Sequence, residues 1–71
     1  MNGDFMVGQA KQLAAKLRSA YPGSTSKQLE TAWQRILGRM PKPAEREKAA
    51  TVSLEQICLA LLNTNEFVYL D

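Results

Sequence analysis

A chain of 71 residues has room for one hydrophobic core and no second domain, so every large apolar side chain counts toward its stability. Apolar residues at 45% and charged residues at 23% are ordinary values for a globular fold, which argues against disorder. Nine Lys and Arg against seven Asp and Glu leave +2, too little to argue for nucleic acid or an anionic membrane, while one Cys and no His exclude an internal disulfide, a zinc or haem site and the commonest general base.

The N-terminal Met1-Asn2-Gly3-Asp4 lacks the basic start and apolar stretch of a signal peptide, although a fragment excised from a longer protein would also have lost one. Met6, Ala10, Leu13, Ala14, Leu17 and Tyr21 then recur at three- and four-residue spacings and predict an amphipathic helix over 4–21. Asn2 or Asp4 can cap its start, and Pro22-Gly23 stops it. Lys11 and Arg18 are expected on its wet face. Gly8, an unfavourable residue within a helix, is expected to mark close packing against a neighbour.

A second helix is predicted over 25–38, started by a Thr25–Gln28 capping box or by Ser26. Its core stripe is Leu29, Ala32, Trp33, Ile36 and Leu37, with Glu30, Gln34 and Arg35 opposite. Gly38 can close it in a left-handed conformation, and Pro41 prevents its continuation. Pro43 suits the first turn of a short third helix over 43–51, where Glu45 and Glu47 favour the positive end of the dipole. Its apolar content is only Ala44, Ala49, Ala50 and Val52, so it should lie at the periphery.

A Ser53–Gln56 capping box predicts a fourth helix over 53–68 with the stripe Leu54, Ile57, Cys58, Leu61, Leu62, Asn65 and Val68. The short linker leaves two arrangements open, separate helices or one kinked at Val52-Ser53. The apolar run Ile57 to Leu62 is far shorter than the roughly 20 residues that span a bilayer. The pattern as a whole predicts an all-α fold, a small four-helix bundle without strands, whose core is Leu13, Leu17, Leu29, Trp33, Ile36, Ile57, Cys58, Leu61 and Phe67.

Two segments carry unusual residues, Gly38-Arg39-Met40-Pro41 and Leu62-Asn63-Thr64-Asn65-Glu66-Phe67. Asn65 on an apolar stripe needs hydrogen-bond partners, and the loop containing Arg39 can supply them. Glu66 can accept a bidentate pair from Arg39, which predicts a structural staple rather than a ligand site made from Arg39, Pro41, Asn65, Glu66 and Phe67. Cys58 in mid-stripe reads as a small buried hydrophobe, and without His nothing would activate it as a nucleophile. The basic residues Lys11, Lys16, Arg18, Lys27, Arg35, Arg39, Lys42, Arg46 and Lys48 are scattered, and nucleic acid is not the expected partner. Glu30, Glu45, Glu47, Glu55 and Glu66 are the candidate carboxylates for an enzyme, but no pair is placed by sequence on one concave surface.

With Gly38-Arg39-x-Pro41 and Leu62-Asn63-x-Asn65-Glu66-Phe67, the chain resembles the C-terminal segment of a planctomycete-specific family, domain of unknown function 1553, found in large proteins that often carry a cytochrome c-like domain. Met1-Asn2-Gly3-Asp4-Phe5-Met6-Val7 with Gln9-Ala10 is similar to that family's entry into a helix, with Asp4 departing from its commoner proline or small residue. Lys42-Pro43-x-Glu45 is similar to its threonine-proline-glutamate start, lysine replacing the capping hydroxyl. The likeness runs over nearly all of the chain, with the region between the third and fourth helices shorter than in the family.

The resemblance implies a C-terminal helical module of a larger periplasmic, exported or cell-envelope protein, and it supplies no catalytic residue, metal or cofactor. The expected function is therefore non-catalytic packing or docking against the parent protein or another protein, with weak nucleic-acid or polyanion binding through Lys11, Arg18 and Arg35 as the rival. An exposed apolar patch drawn from Met1, Phe5, Met6, Leu59 or Tyr69 would mark the docking face.

Overall fold

All four helices form in the computed structural model, which describes residues 3–64: α1 Gly3–Ala20, α2 Thr25–Leu37, α3 Pro43–Ala49 and α4 Leu54–Leu62. No strand occurs among the described residues. The fold is the small all-α four-helix bundle that the periodicity predicts.

The stops and starts follow from local chemistry. Past α1, Pro22 cannot continue the hydrogen-bond ladder and Gly23 turns the chain at φ 74°. Ser24 has left helical geometry and is the cap of α2, its Oγ accepting the Lys27 N–H at 3.4 Å. This corrects the expected cap at Thr25 or Ser26, since Thr25 is already the first helical residue. Gln28 does not return to the helix start; its Nε2 donates to the Tyr21 carbonyl at 2.9 Å and ties α2 to the exit of α1. At the other end Gly38, at φ 72°, donates its N–H to the Trp33 and Gln34 carbonyls, as a left-handed cap should.

Lys42 has no side-chain acceptor, so only half of a capping box starts α3: the Glu45 carboxylate accepts the Lys42 N–H at 2.7 Å. The helix ends at Ala49, two residues earlier than predicted, because Thr51 turns back and donates from both its N–H and its Oγ to the Lys48 carbonyl. Ser53 is extended and makes the full capping box, accepting the Gln56 N–H at 3.1 Å while Gln56 Oε1 accepts the Ser53 N–H at 2.9 Å. Helices α3 and α4 are thus separate.

Helix α4 stops at Leu62 instead of continuing to 68. Asn63 Nδ2 donates to the Leu59 carbonyl and Thr64 Oγ1 to the Leu61 carbonyl, each at 2.9 Å, so short polar side chains compete with the next helical turn. The rest of the predicted stripe, Asn65 and Val68, lies outside the described residues, as do Glu66 and Phe67.

Packing is centred on α1 against α4, with α2 laid across both. The core holds Leu17, Leu29, Trp33, Ile36, Ile57, Cys58 and Leu61 together with Ala10, Ala14 and Ala32, whose small side chains let the helices approach. Leu13, expected in the core, is partly buried and packs against it. Helix α3 contributes only Ala49 to the core and lies at the periphery. Gly8 does not mark a close approach: a methyl group built there meets no neighbouring atom within 4 Å.

Candidate docking groove

Among the described residues, three helix ends leave an apolar surface uncovered. Trp33 and Leu37 of α2, Ala49 of α3, Val52 of the linker and Ile57 and Leu61 of α4 wall a groove of about 490 Å³. Each is there for a local reason. The α2 stripe that faces the core runs to its last turn, α3 is too short to cover that turn, and the Ser53 cap fixes the angle at which α4 leaves. Val52 is 46% exposed at the mouth, Glu45 and Lys48 stand on the rim, and Thr64 lines the end where the described chain leaves α4.

Trp33 is the largest side chain in the wall and is only 6% exposed, and its indole N–H has no hydrogen-bond partner among the described residues. A buried unmet donor costs about 1–3 kcal/mol, and natural cores keep few of them.

On the rim, the Arg39 guanidinium donates two parallel bonds of 2.9 Å to the Glu45 carboxylate, and Arg39 Nη1 also donates to the Met40 carbonyl at 3.1 Å. Arg39, with the Lys42 N–H, holds the Glu45 carboxyl down to about 2. With Pro41 buried beneath it, the α2–α3 loop is braced from within. The predicted staple pairs Arg39 with Glu66, and Asn65, Glu66 and Phe67 lie outside the described residues; among the described residues Arg39 pairs with Glu45, six residues on.

Two further ion pairs join elements. Arg18 of α1 makes a bidentate pair with Glu55 in the first turn of α4, and Arg46 of α3 reaches Glu30 of α2 at 3.1 Å. Arg18 is exposed, as expected, and its pair with Glu55 lies on the surface. Glu55 is held down to about 2, chiefly by Arg18. No local sequence signal joins Arg18 to Glu55, since they are 37 residues apart. Of the candidate carboxylates among the described residues, Glu30, Glu45 and Glu55 are each taken up by an arginine, and only Glu45 borders the groove.

A second hollow, of about 190 Å³, lies beside Lys16 and Arg35 with Gln9 and Gln12. Cys58 is fully buried, and burial, reinforced by the Glu55 charge, pushes its thiol up to about 11, far from a reactive thiolate. Among the described residues no group of three or more His, Cys, Asp or Glu side chains is gathered as for a metal ion, and no helix is long and apolar enough to cross a membrane. Among the described residues the exposed large apolar side chains are Phe5, Val7, Met40 and Val52; of the expected patch, Met6 and Leu59 are partly buried, and Met1 and Tyr69 lie outside the described residues. No family model, no curated protein and no solved structure matches the chain.

Proposed function

We propose that the chain is a non-catalytic helical docking module whose apolar groove receives a helix or extended apolar segment of its parent protein. The observation that supports this reading is the apolar groove walled by Trp33, Leu37, Val52 and Ile57, which no described residue covers. The resemblance to domain of unknown function 1553 adds a parent of the large planctomycete envelope or exported kind. Amide hydrogen exchange of this segment, measured alone and within its full gene product, tests the proposal. Slower exchange over Ala49–Ala60 in the longer protein is the expected result. Identical exchange, or a gene product no longer than this chain, would overturn it.

The rival reading, weak polyanion binding, finds its local support in Lys16 and Arg35 beside the smaller hollow. Three of the four arginines are paired with glutamates, which lowers the positive charge on offer. Failure to bind a DNA duplex at low salt would end this alternative.

A further inference from the structure

We propose that the smaller hollow, between α1, α2 and the end of α4, is a binding site for a small organic oxyanion, a carboxylate or phosphate group carried on a compact apolar body. It shares no lining residue with the docking groove and stands independently of that reading.

Three helices build it. Gln9, Gln12, Leu13 and Lys16 recur at three- and four-residue spacings and so form one stripe of α1. Arg35 lines the hollow from the last turn of α2, and Leu62 from the last residue of α4. At about 190 Å³ it falls below the roughly 300–1,000 Å³ of sites for drug-sized ligands, which limits the occupant to a small molecule.

Charge selects the sign of that occupant. Lys16 and Arg35 have no acidic partner among the described residues, whereas Arg18, Arg39 and Arg46 each hold a glutamate. Two positive groups on one hollow repel each other, and an anion between them gains attraction to both. None of the six lining residues is acidic, so the wall itself does not oppose a negative charge.

Donor geometry and polarity narrow the class further. The guanidinium of Arg35 offers a planar fork suited to two oxygens of a carboxylate or phosphate, and the amides of Gln9 and Gln12 add N–H donors. Leu13 and Leu62 supply an apolar flank that an alkyl or aryl body can cover and a bare hydrated ion cannot. A polyanion such as DNA needs several convergent cations, and two at one concavity suit a single anionic group better.

The test is a heteronuclear NMR titration of the 71-residue chain at low salt with benzoate, phenyl phosphate, benzamide and inorganic phosphate. Saturable amide shifts centred on Gln9, Gln12, Lys16, Arg35 and Leu62 are expected with an aryl anion, and the tighter of the two names the head group. Benzamide, the uncharged analogue of benzoate, should bind roughly tenfold more weakly or worse. Lys16→Gln and Arg35→Gln should each weaken binding roughly tenfold, the factor for one charge-assisted hydrogen bond. Lys27→Gln makes the same charge change outside the hollow and should leave binding unchanged. All three positions are exposed, so the variants keep the fold. No saturable shift with either aryl anion, an equal loss in Lys27→Gln, or benzamide binding as tightly as the aryl anions would overturn the proposal. So would inorganic phosphate binding as tightly as phenyl phosphate, since the apolar flank would then contribute nothing.

Discussion

The Glu45 carboxylate accepts three hydrogen bonds at once, two from Arg39 and one from the Lys42 N–H, and it therefore strongly prefers to stay charged in the fold. Its folded pKa of about 2 lies below the 4.5 of a free glutamate. A depressed value of this kind gives stability that is present above the unfolded pKa and lost as pH falls toward the folded one. Melting temperature at low salt should thus fall between about pH 5 and pH 2, with Glu55 acting in the same direction through Arg18. Glu45→Gln keeps an acceptor for the Lys42 N–H but loses the charge, so its melting temperature should fall less over that window than the wild type's. An equally steep fall would mean that the Arg39–Glu45 pair contributes nothing. Glu45 was legible as an acid at the positive end of the α3 dipole, but its bonds to the Lys42 N–H and to Arg39 were not. Arg39, two residues before Pro41, meets Glu45 in the first turn of α3, and that geometry appears only in three dimensions. Cys58 was read correctly as packing, because Leu54, Leu61 and Leu62 lie at helical spacing around it. A disulfide-exchange reagent should label it on the timescale of minutes only after denaturant is added; rapid native labelling would contradict its burial.

At the scale of elements, the punctuation was more legible than the register. Pro22-Gly23, Gly38 and the Ser53–Gln56 box each end or start a helix where the sequence placed them, since a missing N–H or a left-handed φ acts locally. Ser24 was missed in favour of its neighbours because three hydroxyl residues in a row offer equivalent caps, and only the turn at Gly23 selects the first. Two glycines make the contrast measurable. Gly8 lies in α1 with open space around its missing Cβ and ordinary helical φ, so Gly8→Ala should stabilise the chain by about 0.5–1 kcal/mol through helix propensity. Gly38 sits at φ 72°, where a side chain crowds its own backbone, so Gly38→Ala should cost about 1–2 kcal/mol despite equally open space. Thermal melts of the two variants should move in opposite directions, and a shift of the same sign would show that backbone conformation is not what distinguishes them.

For the molecule as a whole, the consequence of small size is that stability is concentrated where α1 meets α4. Leu17 is 1% exposed at that contact, while Val52 is 46% exposed at the groove. Both are aliphatic residues that a sequence pattern cannot rank, because exposure of Val52 depends on how little α3 covers. Leu17→Ala removes buried methyl groups from a close-packed core and should cost about 2–5 kcal/mol, a large share of the stability of a domain this small. Val52→Asp places a charge in contact with water and should leave the core intact, changing stability by roughly 0.5 kcal/mol or less apart from any contact made across the groove. Far-ultraviolet circular dichroism through a urea titration separates the two: a much lower midpoint is expected for Leu17→Ala, and a midpoint close to the wild type's for Val52→Asp. A collapse of Val52→Asp comparable to that of Leu17→Ala would mean that the groove is part of the core rather than a surface awaiting an occupant. The open wall would then be a structural necessity of the bundle, and the docking reading would lose its physical basis.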